Sequence, residues 1–259
     1  MYHQLNFSNC ILYSMQRFFL PLFLTIAVLI VAGVGMVSFK YLNRDSGEFQ
    51  NGNVKEKFEI FPARLEDFLV PPKMYGLWPY GVRGNDSGSH NEGHPGWDFE
   101  LKKGSKLYAI ADLKINQIHD GDKQTGDGQV VRVIEASARL KEGGFGVVYH
   151  SVINIEKNVI EGAIVKEGSI LAEVGYPISN KSAMIHFGIF APKDSVGICP
   201  TGYFSEEVQK IIEQIVANSV DDKTGKPYSS ACVGKIDKEI YYKNFPDRIK
   251  YLRGGEIWE

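Results

Sequence analysis

The spacing of apolar positions changes character several times along this chain. Residues 18–39, FFLPLFLTIAVLIVAGVGMVSF, form one apolar run without a charged side chain. That length suits a helix crossing a bilayer. Between 97 and 190 the pattern breaks into short runs at 97–101, 106–118, 129–135, 145–151, 169–174 and 184–190. Several alternate apolar and polar residues, the period of a half-buried strand. Glycine breaks such as Gly126-Asp127-Gly128 and Gly143-Gly144 separate them. A unit at 162–168 places two glycines around a short apolar anchor. At 205–219 the period lengthens, with Val208, Ile211, Ile212, Ile215 and Val216 at i, i+3, i+4, i+7 and i+8. Ser205 suits the N-cap of this amphipathic helix, and Glu206 and Glu207 suit its positive end. Many short strands with glycine turns predict a mainly β fold, an antiparallel β-sandwich or partly open barrel. One transmembrane helix precedes it and one amphipathic helix follows.

This pattern divides the chain into a tail at 1–17, a membrane anchor at 18–39 and a polar linker at 40–58. The β domain follows at 59–204, and a helix with an extension at 205–259. A cleaved signal peptide is the alternative to the anchor, with Ala32, Gly33 and Gly35 as processing sites. The run exceeds a usual signal core, which favours the anchor. Arg17 precedes the run and Lys40 and Arg44 follow it. That count does not favour a cytoplasmic N-terminus, although large translocated domains obey the rule weakly. A chain of 259 residues, 44% hydrophobic and with net charge −2, is neither a basic nucleic-acid binder nor a disordered polymer. Cys199 and Cys232 lie beyond the apolar run. Two readings stand for them: a disulfide, if that part is outside the cytoplasm, or two buried thiols.

The candidate chemistry starts at residues 90–101, HNEGHPGWDFEL. On a straight strand His94 and Asp98 would lie about 13 Å apart. Gly93, Pro95 and Gly96 argue against a helix. A β-turn with Pro95 at its first corner and Gly96, at positive φ, at its second would fold the chain back and bring the two together. Asp98 then faces opposite to Trp97 and Phe99. In the run 184–190, Ile185, Phe187 and Ile189 share one face, and Met184, His186 and Gly188 share the other. His150 ends another strand run. Two imidazoles and a carboxylate, His94, His186 and Asp98, would make a three-ligand zinc site in a β-groove with a fourth position for water. His150 would orient that water or stabilise an oxyanion. A histidine satisfied at a strand end is the other reading of His150.

In this order the motifs resemble the lysostaphin-like, LytM-type zinc metalloendopeptidases, which cut peptide cross-links in bacterial cell walls. The resemblance spans roughly 74–204. Gly81-Val82-Arg83 resembles the family's Gly-x-Arg motif, and HPGWDF at 94–99 its His-x-x-x-Asp motif. KGSKLYAIAD at 103–112, VVYHS at 147–151, EGAIVKEGSILAEVG at 161–175 and MIHF at 184–187 resemble its later segments. The resemblance implies zinc ligands at His94, Asp98 and His186, with His150 as the first of two catalytic histidines. It implies a zinc cofactor and peptidoglycan peptide cross-links as substrate, while the composition already argues for no nucleic acid as partner. With the run 18–39 as the anchor, a cell-wall substrate places the C-terminal domain on the periplasmic or extracellular side. The second histidine of the family falls on Met184, whose thioether cannot donate a hydrogen bond. Losing one acid/base group costs about 10²–10⁴ in rate. The alternative is therefore an impaired scaffold or regulator of other cell-wall enzymes. A third reading, a metal-free carrier or structural β-domain, predicts that His94, Asp98 and His186 do not converge.

Overall fold

Along Val130–Leu140 the residues Ile134, Ala136, Ala138 and Leu140 are buried, while Glu135 and Ser137 between them are half-buried. That alternation puts one face of the strand on a core and leaves the other for a site. The computed structural model describes residues 54–68, 76–83, 91–125, 128–191, 196–221 and 224–244. All belong to one unit, Val54–Glu259.

The strands are β1 (Leu77–Trp78), β2 (Trp97–Lys102), β3 (Lys106–Tyr108), β4 (Leu113–Gln124), β5 (Val130–Leu140) and β6 (Gly143–Ile153). They continue with β7 (Ile164–Val165), β8 (Ile170–Val174), β9 (Tyr176–Pro177), β10 (Ser182–Phe190) and β11 (Gly197–Ile198). They form one 11-stranded sheet whose main path runs β1-β2-β10-β6-β5-β4-β7. Every pair of these strands is antiparallel. Among the described residues the two ends of the path do not pair, so the sheet is open rather than closed into a barrel. A branch, β8 with β3, leaves the path at β6.

Several expected boundaries move, and β5 runs on to Leu140, five residues past the expected end at 135. The run 106–118 is split, because the chain bends at Ile110–Asp112 before β4. Asp112 accepts from the Glu167 backbone N–H at 3.0 Å and pairs with Lys166 at 2.7 Å. Gly143-Gly144 does not break the sheet. Those glycines open β6 and pair with Leu140 and Arg139, leaving Lys141–Glu142 as the hairpin loop.

The face of the sheet opposite the candidate site carries an aromatic cluster. Trp97 stacks on Phe204 at 6.0 Å between centroids, and Phe99 on Phe187 at 6.2 Å. Phe58, placed in the linker by its sequence surroundings, is 1% exposed and bridges to Phe204. Helix α1 (Glu206–Ala217) takes Ser205 as its N-cap and buries Val208, Ile212, Ile215 and Val216 in the same core. Each such side chain contributes about 1.5–3 kcal/mol through burial. A second helix, α2 (Lys238–Asn244), was not legible in the sequence. The segment leading to it is tied down by a Cys199–Cys232 disulfide, by Trp97 Nε1–H donating to Ala231 O at 2.9 Å, and by Asp237 N–H donating to Glu92 O.

Among the described residues no helix is long and apolar enough to cross a membrane. The tail 1–17 with Cys10, the run 18–39, linker residues 40–53, and His90 lie outside the described residues.

Candidate metal centre

The Pro-Gly turn does bring His94 and Asp98 together, by a different route from the one expected. Gly96 is not at positive φ; Gly93 is, at 100°. A side chain at Gly96 is forbidden for another reason. A Cβ there would lie 2.4 Å from Phe187 O and 2.9 Å from the His186 ring. The turn thus lies directly against β10. On its other side, Gly81 N–H donates to His94 O and His94 N–H donates to Val82 O, both at 2.9 Å. These two bonds fix the backbone of His94 against the Gly-x-Arg segment.

Asp98 on β2 and His186 on β10 are register partners, so strand pairing alone puts them on one face of the sheet. The donor atoms close up tightly. His94 Nε2 lies 3.1 Å from Asp98 Oδ1 and 3.0 Å from His186 Nδ1. His186 Nδ1 lies 2.8 Å from Asp98 Oδ1. The carrier reading, which required the three to stay apart, fails on these distances.

Whether a metal fits can be judged from the donors themselves. His94 Nδ1–H donates to Pro79 O at 3.1 Å, which leaves Nε2 as the ring nitrogen turned toward Asp98 and His186. Two imidazole nitrogens and a carboxylate oxygen about 3 Å apart need either a proton or a metal cation among them. Tetrahedral zinc at about 2.0–2.1 Å from nitrogen and oxygen ligands would separate them by about 3.3 Å. The observed 2.8–3.1 Å is close to that. The residues fit the ion, and the carbonyl holding the far side of an imidazole is the usual support of such a ligand.

The site is buried on one side and accessible on the other. The His94 side chain is fully buried, with Trp78 packed on it in a tilted arrangement at 4.7 Å between ring centroids, whereas His186 is 21% exposed. Burial alone would raise the Asp98 carboxyl. Charge on His94 and hydrogen bonds from His186 and His94 outweigh it, and hold the carboxyl well below the usual carboxylate range.

His150 on β6 is the register partner of His186 on its other side, with ring centroids 6.5 Å apart. Its Nδ1 bonds Ser151 Oγ at 2.9 Å, and Ser151 takes a positive φ of 74°. Met184 lies on the same face, opposite Glu100 of β2. A cavity of about 230 Å³ extends from His186 and His150 across the sheet, and Tyr241 of α2 lines it. Sequence reasoning missed Trp78, the Pro79 carbonyl and Tyr241 as parts of this site. None of the three carried a signal of its own; the Gly-x-Arg segment close to Trp78 and Pro79 in sequence did.

No family model and no curated protein matches the sequence. Solved structures of lysostaphin-like, LytM-type peptidases are similar. The catalytic domain of the antimicrobial peptidase lysostaphin from Staphylococcus simulans is 23% identical, covering 50% of this chain and 91% of that one, with a TM-score of 0.36. LytU is 19% identical, covering 51% of this chain and 85% of that one, with a TM-score of 0.37. A zinc-containing peptidase from Vibrio cholerae is 18% identical, covering 52% of this chain and 37% of that one, with a TM-score of 0.36. At 18–23% identity the likeness is one of fold alone, and the chemistry rests on the residues described above.

Proposed function

We propose that the chain is a membrane-anchored zinc metalloendopeptidase hydrolysing peptide bonds in bacterial cell-wall peptidoglycan. The observation that carries this reading is the convergence of His94, Asp98 and His186 at a cavity that also takes in His150. When bound to such a donor set, zinc lowers the pKa of water and polarises a carbonyl. The chain's own residues do the rest. Pro79 and Trp78 hold the His94 ring in one tautomer and one orientation. Asp98 stays ionised across the working pH range. His150 faces the reacting side, where it orients water or donates to a developing oxyanion.

The anchor is residues 18–39, with the domain on the periplasmic or extracellular side. A disulfide between Cys199 and Cys232 supports an oxidising compartment. In this reading residues 59–204 are the peptidase-like domain, reached through the linker at 40–58. Cells stripped of wall and of any outer membrane, treated with protease, would lose the domain; its protection there would sink this placement.

Met184 favours a second reading, a scaffold or regulator of other cell-wall enzymes. It occupies the site face in register with Glu100, where it supplies no proton. One experiment separates the two. The full chain is incubated with purified peptidoglycan, with and without a zinc chelator. Release of cross-link peptides that stops on chelation supports the enzyme. Stoichiometric zinc without release supports the scaffold. Asp98→Ala should abolish zinc binding in either case, and undiminished zinc content would remove the triad from both.

A further inference from the structure

The cavity does not end at the candidate metal centre. Its row of register partners runs from His186 to His150, then to Val133 on β5 and His119 on β4. One row along, Gly188 pairs with Val148 and Val148 with Glu135. The period-two rule puts Glu135 on the site face. Its far end therefore carries a carboxylate and an imidazole. His119 Nε2 lies 3.3 Å from Glu135 Oε1, and the Glu135 side chain is 27% exposed. The neighbouring Asp120 at the rim is already paired with Arg132 at 3.1 Å. Tyr241 and Phe190 also line the cavity.

Spacing sets what reaches this end. Glu135 stands two strands and two residues away from His186. Strand spacing near 4.8 Å and a rise near 3.3 Å per residue give about 12 Å between their backbones. An extended peptide covers that in three to four residues, or in two residues plus a side chain the length of lysine. A half-buried carboxylate whose partner is an imidazole gains from an ammonium group more than from a neutral one, because the cation adds a charge-assisted hydrogen bond.

Resting on the peptidase reading, we infer that Glu135, positioned by His119, is a specificity subsite for a peptide residue carrying a protonated primary amine, two to three residues from the cleaved bond. Nothing in the candidate ligand set His94, Asp98 and His186 selects such a residue. Glu135 is a recognition residue and His119 a positioning residue.

The test uses the zinc-loaded full chain and blocked glycine/alanine hexapeptides that differ at one residue: lysine, norleucine or glutamate. Affinity is read by fluorescence anisotropy. The lysine peptide should bind about tenfold tighter than the norleucine peptide. Glu135→Gln should bring that ratio to about one, and Glu135→Lys should shift preference to the glutamate peptide. The charge reversal is a gain of preference that a misfolded variant cannot imitate. Equal binding of lysine and norleucine peptides, lost in Asp98→Ala, overturns the subsite and leaves the peptidase reading intact. Binding of none of the peptides while peptidoglycan is still cleaved also overturns the subsite alone. Binding of none with peptidoglycan left whole overturns both.

Discussion

Gly96 touches His186: a Cβ on the glycine would stand 2.9 Å from the imidazole of the histidine, 90 residues later in the chain. The turn that carries His94 is therefore in contact with the strand that carries another donor. The glycine is needed for that approach and not for its φ. Gly96→Ala should displace the His186 ring or the Phe187 carbonyl, whichever yields. Zinc affinity should fall about 10–100-fold, the usual effect of disturbing a ligand's support. Competition against a chromophoric chelator measures this. An unchanged affinity with unchanged circular dichroism would show that the contact is slack.

Met184 is the second point of attack. Met184→His places an imidazole on the site face, two residues from His186 along β10. If the missing proton donor limits the rate, hydrolysis of peptidoglycan should rise by about 10²-fold or more. No gain, with zinc content preserved, would favour the scaffold reading.

The disulfide ties the segment before α2 to the sheet domain, closing a loop between residues 33 apart in sequence. A loop of that size stabilises by about 3–4 kcal/mol in the chain-entropy account. Cys232→Ser should lower the melting temperature accordingly. Reductant should lower the melting temperature of the unaltered chain by a similar amount and leave the variant's unchanged. Equal sensitivity of both proteins to reductant would count against the bond.

Glu173 provides a pH test away from the site. Burial pushes its carboxyl up, but hydrogen bonds from Lys106 and Asn154 and the Lys106 charge more than offset this, so it is lowered. The sign follows from linkage. A depressed carboxylate adds stability above its unfolded pKa of about 4.3, and loses it as pH falls through the folded value. Glu173→Gln should therefore be less stable than the unaltered chain at neutral pH, by at most about 1 kcal/mol for so exposed a pair. The two should converge below about pH 4. A difference that persists undiminished at pH 3 would rule out this ion pair as its source.

Much of the site was legible in the chain itself. Residue type supplies the chemistry, so His94, Asp98, His186 and His150 could be named from sequence. Period-two alternation supplies the face, so Ile185, Phe187 and Ile189 against His186 sorted core from site before any distance was known. The stripe of α1 was equally plain, because a 3.6-residue period over a dozen residues lines up its apolar side chains only on a helix. The role of Gly96 was not legible. Its environment is made by Phe187 and His186, and no local pattern reports a contact across such a separation.

The same reason governs everything else that only the tertiary structure decided. The Pro79 carbonyl has no side-chain signature, yet it fixes the tautomer of His94. Trp97 donates to Ala231 across 134 residues, and that bond helps fasten the segment leading to α2 and Tyr241. Glu135 looks like any polar position of an alternating strand until register aligns it with Val148 and Gly188. Local sequence determines which way a side chain points and what it can do chemically. Which groups lie within about 3 Å of one another is decided by strand pairing and packing between distant segments, and it is those distances that make a candidate metal centre.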